Sequence, residues 1–165
     1  MTVSDVIDQF FAEKGLTHAF GIVGAGNMRI FDAIYRLGKT QIICTHHEQA
    51  AAQAAIAYYR MSGRIAPVLV TCGGGASNVV TGIVSAWMDS IPLFVIAGQE
   101  SRRNDKLRAY GVQGFDLLDM THKQTKGRWM LSKGECLQPA WDAMMYRRPG
   151  PVLIEAPIDV QGHEA

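Results

Sequence analysis

One junction between a strand and a helix decides the fold, and over residues 41–52 it reads QIICTHHEQAAA. The apolar run from Gln41 to Cys44 predicts a short strand, and the alanine-rich run from Glu48 to Met61 predicts a helix. Parallel α/β folds bind their ligands in the crevice at the carboxyl ends of such strands. The sequence therefore predicts that Glu48 places a carboxylate beside a ligand crevice.

The surroundings of Glu48 leave three interpretations open. Its helical neighbours are small and apolar, so the carboxyl group is expected to be poorly solvated, and a buried unpaired carboxylate is costly. A basic partner or a ligand hydrogen-bond donor would compensate, or the acid would stay protonated at neutral pH and act as a donor itself. The third interpretation is an ordinary acid at a helix N-terminus, favoured by the macrodipole.

The composition is typical of single-domain globular proteins, and we expect residues 1–165 to form one domain. The net charge of +1 and the scattered Lys and Arg residues argue against a nucleic-acid partner. Three widely spaced cysteines without a C-x-x-C motif indicate buried free thiols of a reducing compartment. Because the sequence shows neither a signal peptide nor an apolar stretch of membrane length, we expect a cytoplasmic protein that binds no membrane.

Helical and strand-like segments alternate along the chain. This order predicts an α/β three-layer sandwich, a mostly parallel sheet with helices on both faces. The polar connection of residues 98–114 is unusually long, which indicates a functional or mobile segment. Helices are predicted at residues 3–15, 28–38, 48–61, 77–88, 115–121 and 135–146, and strands at 18–23, 41–44, 67–71, 91–96, 129–131 and 151–155.

Two glycine-rich turns, residues 21–26 and 71–78, follow predicted strands and lead into helices. Such turns let a ligand approach the backbone, although many are only tight connections. Neither turn completes a dinucleotide fingerprint or a P-loop. The adjacent His46 and His47 point apart and lack a third ligand, so no metal site is expected in this chain. Both turns and Glu48 lie at the carboxyl edge of the sheet, and this convergence predicts a site.

The third predicted helix has unusually small side chains over residues 50–57, interrupted only by Gln53 and Ile56. This pattern predicts close packing against another helix, of this chain or of a partner subunit. Together with the fourth helix it offers more apolar surface than one sheet face would cover. We therefore expect a homo- or hetero-oligomer, with Ala54 near the contact.

Six motifs, in order, resemble the pyrimidine-binding (Pyr) domain of thiamine diphosphate enzymes of the acetolactate synthase group. The resemblance covers essentially the whole chain and implies the Pyr-domain fold. The motifs are HAFGIVG (18–24), HEQAA (47–51), VTCGGGASN (70–78), AWMDSIP (86–92), AGQ (97–99) and RPGPV (148–152).

The resemblance implies that Glu48 is catalytic. In such enzymes the corresponding glutamate hydrogen-bonds N1′ of the aminopyrimidine and promotes the imino tautomer, whose nitrogen removes the thiazolium C2 proton. Other matched positions would contact the cofactor or the substrate. These implied cofactor-binding residues are Val23, Gly24, Ala25, Gly74, Asn78 and Gln113.

The resemblance also implies a partner, because the sequence lacks the Gly-Asp-Gly…Asn-Asn motif with which a second domain of the family holds the diphosphate and Mg²⁺. This chain is therefore expected to bind only the aminopyrimidine half of thiamine diphosphate and to pair with a diphosphate-binding domain or subunit. It would be either one subunit of a split enzyme or the N-terminal domain of a longer chain.

The implied activity is that of a 2-oxo acid decarboxylase or carboligase, a lyase or transferase whose substrate and acceptor the sequence leaves open. Val23 and Gly74 stand where the family usually has proline, and Gly114 stands where an acid often follows the glutamine. Glu48 argues against glyoxylate carboligases, and Ala25 argues against pyruvate decarboxylase-like members. The alternative is a non-catalytic Pyr-like interaction module that has lost the reaction; the retained Glu48 favours the enzyme.

Overall fold

The alternation of helices and strands is confirmed in the computed structural model, which describes residues 1–101 and 113–165. Most of the predicted polar connection therefore lies outside the described residues. The strands are β1 (His18–Gly21), β2 (Gln41–Cys44), β3 (Val68–Val70), β4 (Leu93–Gln99), β5 (Gly127–Met130) and β6 (Pro151–Pro157). The helices are α1 (Val3–Glu13), α2 (Met28–Leu37), α3 (Glu48–Ser62), α4 (Gly73–Ser77), α5 (Val80–Asp89), α6 (Leu117–Met120), α7 (Leu137–Met145) and α8 (Ile158–Gln161).

The six strands form one sheet in the order β2-β1-β3-β4-β6-β5, and every pairing is parallel. Strand β1 lies between β2 and β3, so the chain first adds β2 on one side of β1 and later adds β3 on the other side. The carboxyl ends of β1 and β3 therefore border a topological switch point. Open parallel sheets bind ligands at such a point.

Helices cover both faces of the sheet because successive strand residues point to opposite sides. In β3, Val68 and Val70 contact one core, and Leu69 contacts the other. Helices α1, α2 and α7 pack over one face with large side chains such as Phe11, whereas α3 and α5 pack over the other with alanines and branched aliphatic residues. The predicted three-layer architecture is confirmed.

The close packing predicted for the alanine-rich helix is made within this chain, by α3 against α5. A Cβ on Gly82 of α5 would collide with the Cβ of Ala52, so the two backbones approach closely only with glycine there. Ala51, Ala55 and Ile56 are buried in the same core, and Ala54 packs partly against it. Much of the apolar surface that suggested a partner is thus covered by the chain itself.

The glycine-rich segment after β3 differs from its prediction, because α4 begins at Gly73 inside the expected turn and α5 follows as a separate helix from Val80. Glycines have low helix propensity, so tertiary contacts override the local preference here. Strands β4 and β6 also extend beyond their predicted ends, since they pair with each other from Leu93↔Pro151 to Gln99↔Pro157. Helix α8 was not predicted.

No helix within residues 1–101 or 113–165 is long and apolar enough to cross a membrane.

Candidate functional site

Three chain segments meet at the carboxyl edge of the sheet: the first turn (residues 22–27), the β2–α3 junction (45–48) and the second turn with α4 (71–78). Thr45 N–H donates to the Gly21 carbonyl at 3.0 Å, which ties the junction to the end of β1. Gly26 N–H donates to Thr71 Oγ1 at 3.2 Å, which ties the first turn to the second. A Cβ on Gly24 would lie 2.5 Å from the same Thr71 oxygen. The convergence predicted for this edge is present in the structure.

Glu48 starts α3 with a side chain only 7% exposed, as its apolar neighbours predicted. Its Oε2 accepts a hydrogen bond from Asn78 Nδ2 at 3.0 Å. The helix is capped by His47, whose Nδ1 accepts from Gln49 N–H at 3.2 Å, so the Glu48 carboxyl group is not needed as the cap. Of the described residues, none forms an ion pair with Glu48. The group that compensates its burial is therefore a neutral amide rather than a cation.

The glycine on which the Glu48 position depends is Gly75. A Cβ there would lie 2.9 Å from Glu48 Oε1 and 2.7 Å from Thr71 Cγ2, so any side chain would displace the carboxyl group or the threonine. Gly74, the position singled out by family resemblance, is exposed, and a Cβ there would meet open space. The sequence shows three consecutive glycines but not which of them the site requires.

The predicted residues of the first turn lie at the rim of this edge. Val23 is 52% exposed, Ala25 is exposed and Gly24 is half-buried. Asn27, which the sequence analysis missed, holds the turn: its Oδ1 accepts from Gly24 N–H at 2.8 Å and its Nδ2 donates to the Ile22 carbonyl at 3.0 Å. These two hydrogen bonds explain why a polar residue can be almost completely buried directly after the glycines.

Gln113 lies against the start of α4, at Gly73, whereas Glu48 lies beside Gly75. The Cys72 thiol donates to Gln113 Oε1 at 3.1 Å, and Gln113 N–H donates to Glu100 Oε1 at 3.2 Å. Burial raises the pKa of the Cys72 thiol, so it remains a protonated donor at neutral pH. Gly73 has φ +64°, and a Cβ there would lie 2.8 Å from Gln113. Glu48 and Gln113 therefore flank the second turn without a direct bond to each other among the described contacts.

Three buried polar residues behind the crevice were missed by the sequence analysis. Gln99 ends β4 and Glu155 lies near the end of the neighbouring strand β6, and the two residues are 3% and 2% exposed. Gln161 of α8 donates through Nε2 to the carbonyls of Gly26 at 2.6 Å and Ala156 at 2.8 Å. These bonds tie the first turn to the end of β6. The signal available in the sequence was a polar residue inside an otherwise apolar strand, as in the run PVLIEAP over 151–157.

Metal-ligating side chains do not gather in threes anywhere in the described ranges. His46 and His47 are both exposed, and His47 is occupied as the cap of α3.

A family model described as "Thiamine pyrophosphate enzyme, N-terminal TPP binding domain" matches residues 1–125. The acetolactate synthase large subunit of Haemophilus influenzae is 34% identical over 160 residues, which cover 94% of this chain and 28% of that protein. The isozyme 2 large subunit of Escherichia coli is 36% identical over 152 residues, covering 90% and 27%. The chain thus spans about a quarter of the length of these relatives.

Proposed function

This chain belongs to the thiamine pyrophosphate enzyme family as an N-terminal TPP-binding domain, and from this membership we propose that it supplies the pyrimidine side of a thiamine diphosphate site. The complete enzyme would be a decarboxylase or carboligase that acts on a small 2-oxo acid, as in the acetolactate synthase group. Glu48 carries the proposal, because its buried carboxyl group faces the crevice at the topological switch point and is held by a single neutral donor.

The residues around Glu48 fit a proton-sharing role. Asn78 occupies Oε2, while Oε1 lies beside Gly75 and accepts no hydrogen bond from the described residues. That oxygen is available to hold a proton against the N1′ nitrogen of an aminopyrimidine. Because Asn78 holds the other oxygen, the carboxyl group would be presented to a ring nitrogen in one fixed orientation, as proton transfer requires.

The turns on either side would orient the ring. Gly24 and Gly75 leave room for Thr71 and Glu48, and Asn27 and Thr71 fix the turns that carry these glycines. When bound, thiamine diphosphate supplies the carbanion chemistry, and the protein supplies binding, orientation and the proton at Glu48. Val23, Ala25 and Gln113 lie at the rim, where a substrate would enter.

A diphosphate-binding domain is the partner that this proposal requires. The chain itself offers no gathering of carboxylates for Mg²⁺ among the residues that the structure describes. We expect the chain alone to bind thiamine diphosphate weakly and to turn over no 2-oxo acid, because Mg²⁺ bound to the diphosphate would supply the strongest contacts. Calorimetric titration of the cofactor into the purified chain checks this, and micromolar binding without a partner would contradict it.

The decisive variant is Glu48→Gln in the enzyme assembled with its diphosphate-binding domain. An amide has nearly the same shape but cannot share a proton in the same way, so exchange of the cofactor C2 proton with deuterium should fall by about 10²–10⁴-fold. The measurement is NMR of the bound cofactor. Glu13→Gln, at an exposed carboxylate of α1, is the matched control and should exchange like the wild type.

The same experiment separates the enzyme from the alternative, a non-catalytic interaction module. Val23 and Gly74, which stand at usual proline positions of the family, are the observation that favours the module. A module would show no C2 exchange above the solution rate in the wild-type assembly. Exchange in the Glu48→Gln variant within a few-fold of wild type would mean that Glu48 is only a helix-start acid.

A further inference from the structure

Two buried polar side chains hold the segment that follows Gln113. Gln99 Nε2 donates to the Phe115 carbonyl at 2.7 Å, and Leu117 N–H donates to Glu155 Oε1 at 3.2 Å. Gln99 and Glu155 come from β4 and β6, two interior strands that pair along their whole lengths. Residues 115–117 are therefore anchored to the sheet at two points.

Gln113 lies at the end of this anchored segment. Only Gly114 separates it from Phe115, so the anchor restricts where the Gln113 backbone lies. On its other side Gln113 contacts Cys72 and Gly73 at the start of α4. A shift of residues 115–117 would move Gln113 relative to the second turn, which also carries Gly75 and Asn78.

We propose that Glu155, acting with Gln99, is the positioning residue for residues 113–117, and that it anchors this segment more tightly as a carboxylate than as a neutral acid. The importance of Gln113 to a cofactor site rests on the proposed function, but the anchoring itself does not. Glu155 touches neither the crevice nor the cofactor position, and it acts through the backbone of Leu117.

The charge state of Glu155 is balanced near neutrality. Burial raises its pKa to about 7, against the lowering effect of the bonds from Gln99 and the Leu117 N–H, while the nearby Asp116 raises it further. Because the bond from the Leu117 N–H favours the carboxylate, ionisation must by linkage strengthen it. The segment is therefore held more tightly as the pH rises through about 7.

The other charged groups near this part of the fold have partners of their own. Arg128 on β5 donates to the Leu118 carbonyl, and Glu100 accepts from the Gln113 N–H at 3.2 Å. Asp116 accepts from Asp119 N–H at 2.8 Å as the cap of α6. The titration of Glu155 is therefore the one expected to act on Leu117.

The test is a pH titration of the 165-residue chain by NMR, following the amide protons of Leu117 and Gln113 and the side-chain carboxyl carbon of Glu155. We expect the Leu117 proton to shift downfield, with the same midpoint near pH 7 as the Glu155 carbon, and the Gln113 amide to follow it. In Glu155→Gln, which keeps an oxygen acceptor without a titrating charge, these shifts should vanish while the remaining spectrum stays that of a folded chain.

Two further variants shift the midpoint in opposite directions if the proposal is right. Gln99→Leu removes a bond that favours the carboxylate and should raise the midpoint, whereas Asp116→Asn keeps the cap of α6 but removes a neighbouring charge and should lower it. The proposal is overturned if the Leu117 amide does not follow the Glu155 titration, or if its shift persists in Glu155→Gln. Because no cofactor is present, failure here leaves the proposed function untouched.

Discussion

Glu48 and Glu155 are buried glutamates at the same carboxyl edge of one parallel sheet, but their surroundings differ. Glu48 follows β2, and a side-chain amide holds one of its oxygens while the other faces a glycine. Glu155 lies within the central strand β6 and accepts a backbone N–H from the segment packed above it. Burial alone therefore does not identify a reacting carboxylate. The distinguishing feature of Glu48 is an oxygen, Oε1, that accepts no hydrogen bond from the described residues.

The largest expected effect concerns the cost of burying charge at Glu155. Its pKa of about 7 in the folded chain lies above the ordinary value of 4.5, so the folded state binds more protons between these values. The contribution of Glu155 to the free energy of unfolding is therefore fully present below pH 4.5. This contribution, at most about 3 kcal/mol, is lost as the pH rises through about 7.

Urea denaturation of wild type and Glu155→Gln at pH 5 and pH 8 measures this cost. The variant should gain stability relative to wild type as the pH rises, because its side chain has no charge to bury. If the two proteins differ in free energy of unfolding by the same amount at both pH values, Glu155 is no more costly to ionise in the fold than in water. The contrast between Glu155 and Glu48 would then disappear.

The next effect tests the room given to Glu48. Gly75→Ala places a methyl group against Glu48 Oε1 and Thr71, so we expect it to lower the free energy of unfolding by about 1–3 kcal/mol and to displace the carboxyl group. Thermal or urea denaturation gives the energy, and the Asn78 side-chain NMR signal reports the displacement. An unchanged Asn78 signal in a stable variant would mean that the methyl group fits beside Glu48 without displacing its carboxyl group.

A smaller effect is expected at Gln161, which supports the first turn as Glu155 supports residues 115–117. Gln161→Met keeps a similar shape but leaves the carbonyls of Gly26 and Ala156 without their donor, at a cost of about 1–2 kcal/mol. The loss should appear as faster amide exchange in residues 22–27. If exchange rises uniformly over the chain instead, Gln161 is a general core residue and not a support of the turn.

The smallest effect is the matched control for Gly75. Gly74→Ala fills open space within α4 and replaces a residue of low helix propensity, so it should raise stability by up to about 1 kcal/mol. The opposite signs at adjacent glycines are measured in the same denaturation series. A destabilising Gly74→Ala would show that the second turn needs glycine at both positions for its backbone and not for Glu48.

The sequence predicted the parts of the fold that depend on local pattern. The starts of α1 and α2 and the bounds of β2 are all confirmed, because each follows from neighbouring residues alone. Helix α4 was not predicted, since Gly73 packs against Gln113 and Gly75 packs against Glu48, and both partners are distant in sequence.

The candidate site was predictable to a similar degree. Glu48 could be found because it stands at a strand-to-helix junction within a recognisable motif, and its burial is confirmed. Gly75 and Glu155 could not be ranked from the sequence, because one is the third of three identical residues and the other is a single acid in an apolar strand. Their importance depends on which atoms lie above them in the folded chain.

The most direct test of this contrast is to follow both carboxyl carbons in one experiment. With this chain alone labelled at glutamate and assembled with its diphosphate-binding domain, thiamine diphosphate and Mg²⁺ are added while the Glu48 and Glu155 resonances are recorded by NMR. A large shift at Glu48 together with an unchanged titration midpoint at Glu155 is the predicted result. A shift at Glu155 with none at Glu48 would contradict the assignment of Glu48 to the ligand and of Glu155 to the scaffold.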